Sequence, residues 1–368
     1  MSNNTITRVA ILWQHVTGYV HAALQGLLAV DGVELFVVQQ STQANTPFQA
    51  TFDHRCRFIE LDNPQADSTG WFDALLAFQP QVALITAKRD ARYLRAARQL
   101  KQQGCWVVWG QDRLLRVPVQ DTYQQLLGRI LRGWQHYDAA LVPGHKGAQY
   151  ARHVGFAENR IFQGLYTCDT NLFRPIGIGR HAVSDEREPN QWPAVFLFIG
   201  QLIERKGIDV LLEAYQKYRA QCGGTPWELW VVGQGPYAAH LENQAGIRLC
   251  GFRTPQECAQ LMAEAGVFIL PSLWDHWGVV VHEATCAGLP VIASHACGAT
   301  ADLVRDGFNG YTYPAPDADY LAHLLGISGN RQWARALGAN SLQLSYQFDP
   351  TSFAYLVLEY IPSVLQNT

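Results

Sequence analysis

Residues 270–294 have the sequence LPSLWDHWGVVVHEATCAGLPVIAS, in which two short apolar runs flank a longer amphipathic segment. A buried strand is expected to end at Pro271-Ser272, a helix to begin near Gly278, and a second strand to follow at 290–294. Alternation of this kind is typical of the strand-helix units that build a parallel sheet. The stretch therefore predicts an α/β fold.

Apolar runs of strand length recur on both sides of an irregular segment. They are VAILW (9–13), VELFVV (33–38), VALIT (82–86), CWVVW (105–109), AALVP (139–143), AVFLFIG (194–200), WELWVVG (227–233), IRLCGF (247–252), VFILPS (267–272) and PVIAS (290–294). Each set predicts one doubly wound, parallel-sheet domain of the Rossmann type. Ligands bind beyond the carboxyl ends of such strands, so two facing sheets would place a site in the cleft between them.

The irregular segment at 175–192 contains prolines, glycines and charges without a sustained period, and we interpret it as an interdomain linker. The N-terminal domain then comprises 1–174 and the C-terminal domain 193–345. The last segment, 346–368, is expected to pack back on the N-terminal domain.

Composition limits the class of protein. With 368 residues, 48% of them hydrophobic, the chain can fill two cores, and its net charge of -3 gives no global attraction to nucleic acid. The eight cysteines have neither zinc-ribbon nor CxxC spacing, and we interpret them as reduced thiols. The N-terminus lacks the features of a secretory signal and no apolar run is long enough to span a bilayer, so a cytoplasmic location is expected.

The turn before Gly278 has the features of a phosphate site. Trp277, Gly278 and Val279 would present backbone N–H groups at a helix N-terminus, and glycine lets a phosphate approach closely. Asp275 and Glu283 are eight positions apart and flank this turn, so one could hold a sugar and the other a ribose. Taken singly, Asp275 could be a helix cap and Glu283 a surface residue, but their combination with the glycine turn favours a ligand site.

Two more glycine turns follow strands of the second half. GQLIERKG (200–207) brings Arg205 and Lys206 into a polar loop before an amphipathic helix, and GQGP (233–236) is a tight turn. By themselves the two cations could be a solvated pair, and the second turn only a turn. The first loop lacks the Walker pattern, which argues against a P-loop. ILWQHVTG (11–18) lacks the Gly-x-Gly-x-x-Gly that a dinucleotide-dependent oxidoreductase would need.

Taken in order, these motifs resemble glycosyltransferase family 4, over roughly 135–325. That family has NGVDxxxFxP before the linker, a Gly-Arg-Leu loop ending in Lys-Gly, a GxGP turn, a Gly-Phe pair, and a Pro-Ser segment followed by Glu-x7-Glu. The corresponding segments here are YTCDTNLFRP (166–175), 200–207, 233–236, 251–252 and 271–283.

The resemblance implies a GT-B fold, in which two Rossmann-like domains face each other across a cleft. It also implies transfer of a sugar from a nucleoside diphosphate to a hydroxyl acceptor with the anomeric configuration retained. A UDP-sugar is the favoured donor, followed by a GDP-sugar. The nucleotide sugar is the co-substrate. No cofactor and no metal ion is expected, because Lys206 and the helix N-terminus would stabilise the charge that develops on the departing diphosphate.

The same resemblance assigns roles to residues. Lys206 would neutralise the diphosphate, Asp275 would contact the donor sugar and Glu283 would accept hydrogen bonds from the ribose, with Lys206 and Asp275 as the catalytic residues. The expected donor-binding set is Gly200, Gln201, Arg205, Lys206, Gly235, Phe252, Arg253, Asp275, His276, Trp277, Gly278, Val279, Val280 and Glu283.

Two positions depart from the family pattern. Gln201 stands where the family has an arginine beside the diphosphate, and Asp275 stands where it has its first glutamate. A scaffold protein that binds a nucleotide sugar with weak or no catalysis is therefore the alternative to an active enzyme.

The N-terminal half resembles the family only loosely. His15 and Gly18 lie in the first strand-to-helix loop, on the expected acceptor side. Gln111 or Asp112 would line the place of a histidine that family members have after the fourth strand. A structural role for a lone histidine in such a loop is the alternative.

The window 88–132 carries ten cations against three aspartates in a chain of net charge -3. A solvated helix face explains such a stripe, and so does a surface for an anionic acceptor or an anionic membrane. The second interpretation predicts a lipid-linked acceptor and a weak, salt-sensitive contact with the inner face of the membrane. The cations are Lys88, Arg89, Arg92, Arg95, Arg98, Lys101, Arg113, Arg116, Arg129 and Arg132.

Overall fold

A computed structural model describes most of the chain. The described residues are 6–40, 50–62, 70–86, 90–114, 135–182 and 192–367. Two units are present: unit 1 comprises Met1–Cys168 and Phe348–Thr368, and unit 2 comprises Asp169–Gln347.

Unit 1 is built on a parallel sheet of seven described strands. They are β1 (Thr7–Trp13), β2 (Val33–Gln39), β3 (Cys56–Glu60), β4 (Val82–Ile85), β5 (Trp106–Gly110), β6 (Ala139–Val142) and β7 (Ile161–Gln163). Their order across the sheet is β3-β2-β1-β4-β5-β6-β7, so the winding reverses between β1 and β4. The central strands are buried on both faces, which explains their continuous apolar runs.

Helices cover this sheet. Those described before unit 2 are α1 (Gly18–Leu28), α2 (Trp71–Phe78), α3 (Ala91–Gln102) and α4 (His145–His153). Tyr93 of α3 is fully buried, and its hydroxyl lies within hydrogen-bonding distance of the Trp13 and Val38 carbonyl oxygens, at 2.8 and 3.0 Å. This contact fixes α3 at the carboxyl ends of β1 and β2.

Unit 2 contains a second parallel sheet. Its described strands are β8 (Val195–Ile199), β9 (Glu228–Val232), β10 (Ile247–Gly251), β11 (Val267–Leu270), β12 (Val291–Ser294) and β13 (Gly310–Tyr313), in the order β10-β9-β8-β11-β12-β13. Its described helices are α5 (Thr170–Ala182), α6 (Ile208–Gln221), α7 (Ala238–Leu241), α8 (Pro255–Glu264), α9 (Val279–Cys286), α10 (Thr300–Leu303), α11 (Ala318–Ser328) and α12 (Arg331–Ser345).

The C-terminal segment returns to unit 1. It contains α13 (Pro350–Tyr355), a π-helical turn (Leu356–Tyr360) and α14 (Ile361–Gln366). α13 packs against α1, and the Tyr360 ring lies edge-on to Phe162 with centroids 5.8 Å apart.

All ten strands predicted from the sequence are present, and β3, β7 and β13 were not predicted. The segment 175–192, interpreted from the sequence as a linker, is irregular in sequence but partly helical in the structure. Residues 175–182 belong to α5, and residues 183–191 lie outside the described residues. Arg180 of α5 donates to the Ala265 carbonyl at 2.9 Å, and a His181 ring nitrogen lies 3.0 Å from the Gly288 carbonyl oxygen. Tertiary contacts thus outweigh the low helix propensity of the proline and glycines in this segment.

The cysteines form no disulfide bonds, and the described helices are too short or too polar to span a membrane. All eight cysteines are free thiols. In the described ranges no helix has the length and apolar character needed to cross a membrane.

Candidate active site

Three glycine segments meet at the carboxyl ends of β8, β9 and β10. The Gly200 amide donates to the Val232 carbonyl at 3.0 Å, and the Gly233 amide donates to the Gly251 carbonyl at 2.8 Å. Gly235 follows in the same turn with a φ of 150°. The motifs that are separate in the sequence therefore share one edge of the sheet, where open α/β sheets bind ligands.

The loop that contains Lys206 packs on the end of β11. Gly207 is the N-cap of α6 and has a φ of 69°. A Cβ atom at Gly207 would lie 2.1 Å from the Pro271 carbonyl oxygen, so both the backbone angle and the contact require glycine here. This close approach brings Lys206 next to Asp275.

Lys206, Arg205 and Asp275 form a charge cluster. Lys206 is 9% exposed and Asp275 is 8% exposed, and the Lys206 ammonium donates a hydrogen bond to Asp275 Oδ2. Arg205 Nη1 lies 3.4 Å from Asp275 Oδ1 and donates to the Trp274 carbonyl at 3.3 Å. Because two cations share one carboxylate, the cluster carries one excess positive charge.

α9 begins beside this cluster. Its N-cap, Gly278, has a φ of 82°, and within the described residues the amides of Gly278, Val279 and Val280 donate no hydrogen bond. A Cβ atom at Gly278 would lie 3.8 Å from Asp275 Oδ2, so the carboxylate lies close to the helix start. Free amides and the positive end of the helix dipole favour an anion at this point.

Glu283 lies within α9 and is partly buried. Burial raises the pKa of its carboxyl to about 7. Among the described neighbours, His282 lowers this pKa, while Cys286 and Asp169 raise it. Glu283 is therefore not an ordinary surface residue, and Asp275 is not the helix cap, because Gly278 occupies that position.

Other residues of the predicted donor set lie in the same unit. Gln201 is partly buried two positions after the end of β8, and Phe252 is 39% exposed directly after β10. Arg253 is exposed and donates to the Phe252 carbonyl at 3.3 Å. The His276 ring lies edge-on to Trp274 with centroids 4.3 Å apart.

Two residues that support the phosphate turn were not predicted from the sequence. The Cys297 thiol donates to the Trp277 carbonyl at 2.7 Å, and the Gly298 amide donates to the Asp275 carbonyl at 3.1 Å. A Cβ atom at Gly298 would lie 2.0 Å from the His276 carbonyl oxygen. The sequence contains one signal that could have indicated them, the Cys-Gly pair shortly after the strand PVIAS. That strand ends at the edge of the sheet where the phosphate turn lies.

The predicted acceptor-side residues lie in unit 1. His15, Gln111 and Asp112 line a cavity of about 580 Å³, and Gly18 is the first residue of α1. Gln111 is 6% exposed, donates to a backbone carbonyl at 3.2 Å and accepts from the Arg113 amide at 2.8 Å. Gln111 is thus held by two backbone contacts, and Asp112 accepts from the Tyr166 hydroxyl at 3.0 Å.

The basic stripe of α3 is extensively paired. Arg92 lies 2.8 Å from Asp62 and from Asp90, and Lys101 lies 2.7 Å from Asp138. Further contacts are those of Arg95 with the Phe72 ring and of Arg98 with His136 Nε2. Outside the described residues lie Lys88, Arg89, Arg116, Arg129 and Arg132. For the described part, the pairs favour a solvated helix face.

The segment that contains this charge cluster is similar to known proteins. Residues 181–326 match the family Glycosyl transferases group 1. The match covers less than half of the chain and includes Lys206, Asp275 and Glu283.

Curated relatives are similar over part of the chain. The amylovoran biosynthesis glycosyltransferase AmsK of Erwinia amylovora is 30% identical over 152 residues, which are 38% of this chain and 37% of AmsK. Glycogen synthase of Mycobacterium tuberculosis is 25% identical over 268 residues, which are 62% of this chain and 63% of that protein. The chain thus spans less than two thirds of the length of either relative.

Solved structures are similar over nearly the whole chain. Sucrose-phosphate synthase of Thermosynechococcus elongatus has a TM-score of 0.70 at 19% identity, covering 98% of this chain and 100% of that one. HepE of Anabaena, in complex with UDP, has a TM-score of 0.71 at 16% identity, covering 97% and 100%. At these identities the likeness establishes the fold alone. It confirms the GT-B fold of two Rossmann-like, parallel-sheet domains.

Proposed function

We propose that this chain is a retaining glycosyltransferase that moves a sugar from a nucleoside-diphosphate sugar to a hydroxyl acceptor. A UDP-sugar is favoured as the donor, and a GDP-sugar is the next choice. The observation that supports it most is the excess positive charge of Lys206, Arg205 and Asp275 beside the free amides of α9. Cations and N–H donors at one point suit a diphosphate, which needs charge compensation and several hydrogen bonds.

Each charged residue of the site has a role in this scheme. Lys206 binds the diphosphate and stabilises the charge that grows on it as the sugar leaves. Arg205 supplies the positive charge beside the diphosphate that the neutral Gln201 side chain cannot provide. Asp275, held between the two cations, contacts a sugar hydroxyl, and Glu283 accepts hydrogen bonds from the ribose. The backbone near Phe252 and Arg253 lies beside the base.

The transfer needs neither a protein nucleophile nor a metal ion in this scheme. The acceptor oxygen attacks the anomeric carbon on the face from which the diphosphate leaves. As the bond between that carbon and the phosphate oxygen breaks, a leaving phosphate oxygen takes the hydroxyl proton. Lys206 and the amides of α9 compensate the negative charge, which is the task of a divalent ion in other transferases.

The relatives support the donor and the class of product. HepE structures contain UDP and UDP-glucose, which favours a UDP-sugar as donor. AmsK is a glycosyltransferase of amylovoran biosynthesis, which favours a product in polysaccharide, glycolipid or other glycoconjugate biosynthesis.

We expect UDP-sugars to raise the Tm of the protein more than GDP- or ADP-sugars at equal concentration. A ligand that binds only the folded state stabilises it according to its occupancy, by about 2.7 kcal/mol at 100 times Kd. Differential scanning fluorimetry with a panel of nucleotide sugars measures this shift. Lys217→Met should show the same shifts as the wild type, because Lys217 is a half-buried lysine of unit 2 that pairs with Glu213 and Asp319.

Absence of stabilisation by every nucleotide sugar would contradict the proposal. The scaffold alternative is separated by a second measurement with the best donor. An active enzyme should release free nucleotide from it slowly over hours without an acceptor, whereas a scaffold should bind it and leave it intact.

A weak peripheral contact with anionic membranes is part of the proposal, with a lipid-linked acceptor as its purpose. In α3, four cations have three carboxylate partners among the described residues, so the attraction should be small, about 1 kcal/mol for each unpaired basic residue near the bilayer. We expect sedimentation with anionic vesicles at low salt only, and less of it when Arg95 and Arg98 become glutamine. Equal sedimentation with neutral vesicles, or none at all, would leave the stripe as a solvated face.

A further inference from the structure

The backbone that leads into α9 is held by a neighbouring segment of unit 2. Residues 275–277 lie beside residues 296–299, which follow β12, and an isolated parallel β-bridge joins Asp275 to Cys297. Three backbone hydrogen bonds of 2.8 to 3.2 Å connect the two segments. The loop after β12 therefore fixes the turn at which α9 begins.

The side chain of Cys297 lies directly against this turn. It is fully buried, and its thiol donates a hydrogen bond to the Trp277 carbonyl oxygen at 2.7 Å. A Cβ atom at Gly278 would lie 2.6 Å from Cys297 Sγ, so the sulfur packs on the Gly278 backbone. The thiol thus contacts two consecutive residues of the turn, one through a hydrogen bond and the other through van der Waals packing.

The orientation of one peptide group depends on this contact. The Trp277 carbonyl oxygen also accepts a hydrogen bond from the Ala299 amide at 2.8 Å, so the thiol and the amide together occupy its two lone pairs. This carbonyl and the Gly278 N–H belong to one planar trans peptide, in which the two bonds point in opposite directions. Holding the carbonyl therefore sets the direction of the Gly278 N–H.

Glycine at position 278 makes such a restraint necessary. Gly278 has a φ of 82°, and glycine reaches many other backbone angles at little cost. A peptide plane next to a glycine can rotate unless its carbonyl is held. Donors that are already oriented need no reorganisation when negative charge develops beside them, so a fixed plane favours the departure of an anion.

We propose that Cys297 is a positioning residue of the glycosyl transfer, whose thiol holds the Trp277–Gly278 peptide so that the Gly278 N–H points at the departing diphosphate. The inference rests on the proposed function for its reaction, and it adds a residue that acts through the backbone without touching the donor. Serine at position 297 should preserve this role, because its hydroxyl is also a donor. Alanine should not, because it has no group to donate.

Selective isotope labelling observes this peptide directly. The chain contains two Trp-Gly pairs, Trp109-Gly110 in unit 1 and Trp277-Gly278 in unit 2. With ¹³C at the tryptophan carbonyls and ¹⁵N at the glycines, an NMR spectrum that correlates each amide with the preceding carbonyl shows these two peaks. UDP should move the Gly278 amide proton downfield, because the amide then donates to a phosphate oxygen, and uridine should not. A Gly278 peak that does not move with UDP would overturn the proposal.

Cys297→Ala and Cys297→Ser separate the donor from the bulk of the side chain. In Cys297→Ala the UDP-induced shift of Gly278 should be smaller than in the wild type. Its kcat should fall by about tenfold, which is less than the effect of removing a donor outright, because the amide remains but is poorly oriented. Kd for UDP should change less than kcat. Cys297→Ser should restore both the shift and the turnover.

Cys105→Ala is the matched control. Cys105 is a buried cysteine of unit 1 with 4% exposure, so the same chemical change there should alter neither the Gly278 shift nor kcat. A wild-type shift together with a wild-type kcat in Cys297→Ala would contradict the assignment. A loss in Cys297→Ser as large as in Cys297→Ala would contradict it too, because the hydroxyl keeps the hydrogen bond.

Two measurements keep the result decisive. If Cys297→Ala does not fold, the response of the Gly278 peak to UDP in the wild type and in Cys297→Ser still tests the contact, and loss of the shift in the serine variant counts against it. UDP-induced stabilisation of the wild-type protein reports separately on the donor site. Failure of the Gly278 shift with UDP stabilisation intact contradicts this inference alone, whereas absence of UDP stabilisation contradicts the proposed function.

Discussion

Lys206→Met is expected to lower turnover by about 10²–10³-fold, the usual effect of removing one preorganised donor from a developing negative charge. The Lys206 ammonium is nearly buried and fixed by Asp275, so it meets the leaving diphosphate without reorganisation in water. Affinity for UDP should fall less than turnover, because the benefit of the cation grows with the charge on the leaving group. The measurements are kcat at saturating donor and Kd for UDP.

The stability of this variant needs a separate measurement. Removing Lys206 leaves Asp275 with Arg205 at 3.4 Å as its remaining cation in the cluster, and breaking a buried ion pair can cost about 3–5 kcal/mol. Turnover is therefore compared at a temperature where both proteins are folded by circular dichroism. Lys217→Met should turn over like the wild type. Equal losses in turnover and in UDP affinity would make Lys206 a binding residue without a special role in the transition state.

Central strands could be predicted from the sequence because burial on both faces requires a continuous apolar run. VAILW in β1 and VFIL in β11 are of this kind. β3, β7 and β13 lie at sheet edges, where one side lacks a strand partner, and their sequences CRFIE, IFQ and GYTY mix polar and apolar residues. Such short, mixed runs cannot be distinguished from loops by periodicity.

The candidate site could be predicted where it depends on local backbone chemistry. Gly278 and Gly207 begin helices as their positions after a strand indicate. The pair Lys206 and Asp275 could not be predicted, because its partners are 69 positions apart and meet only through the close contact of two loops. Asp112 and Tyr166, 54 positions apart, are joined in the same way. Residue types thus predict the chemistry of a site, but long-range packing decides which groups are paired.

Glu283 is expected to make the stability of the free protein fall as pH rises. Burial raises the pKa of its carboxyl from the usual 4.5 to about 7, so between these values the folded state holds a proton that the unfolded state releases. The stabilisation is fully present below pH 4.5 and is lost as pH rises through 7. With about 1.4 kcal/mol for each pKa unit, the shift from 4.5 to about 7 makes the total change on the order of 3–4 kcal/mol.

Glu283→Gln removes this titration and so tests the proposed ribose contact. The Tm of the wild type should fall relative to that of the variant between about pH 5 and pH 8. UDP affinity should change in the opposite direction, because the ionised carboxylate is the form that accepts two ribose hydroxyl groups. The affinity for UDP should rise with pH in the wild type and should not change with pH in the variant. At pH 8 the variant should bind UDP more weakly than the wild type, by about tenfold or more, because charged hydrogen bonds are lost. Glu264→Gln, at an exposed position on α8, is the matched control. If Glu283→Gln binds UDP as tightly as the wild type at pH 8, the ribose is held elsewhere, and the buried carboxyl then affects only the stability of α9.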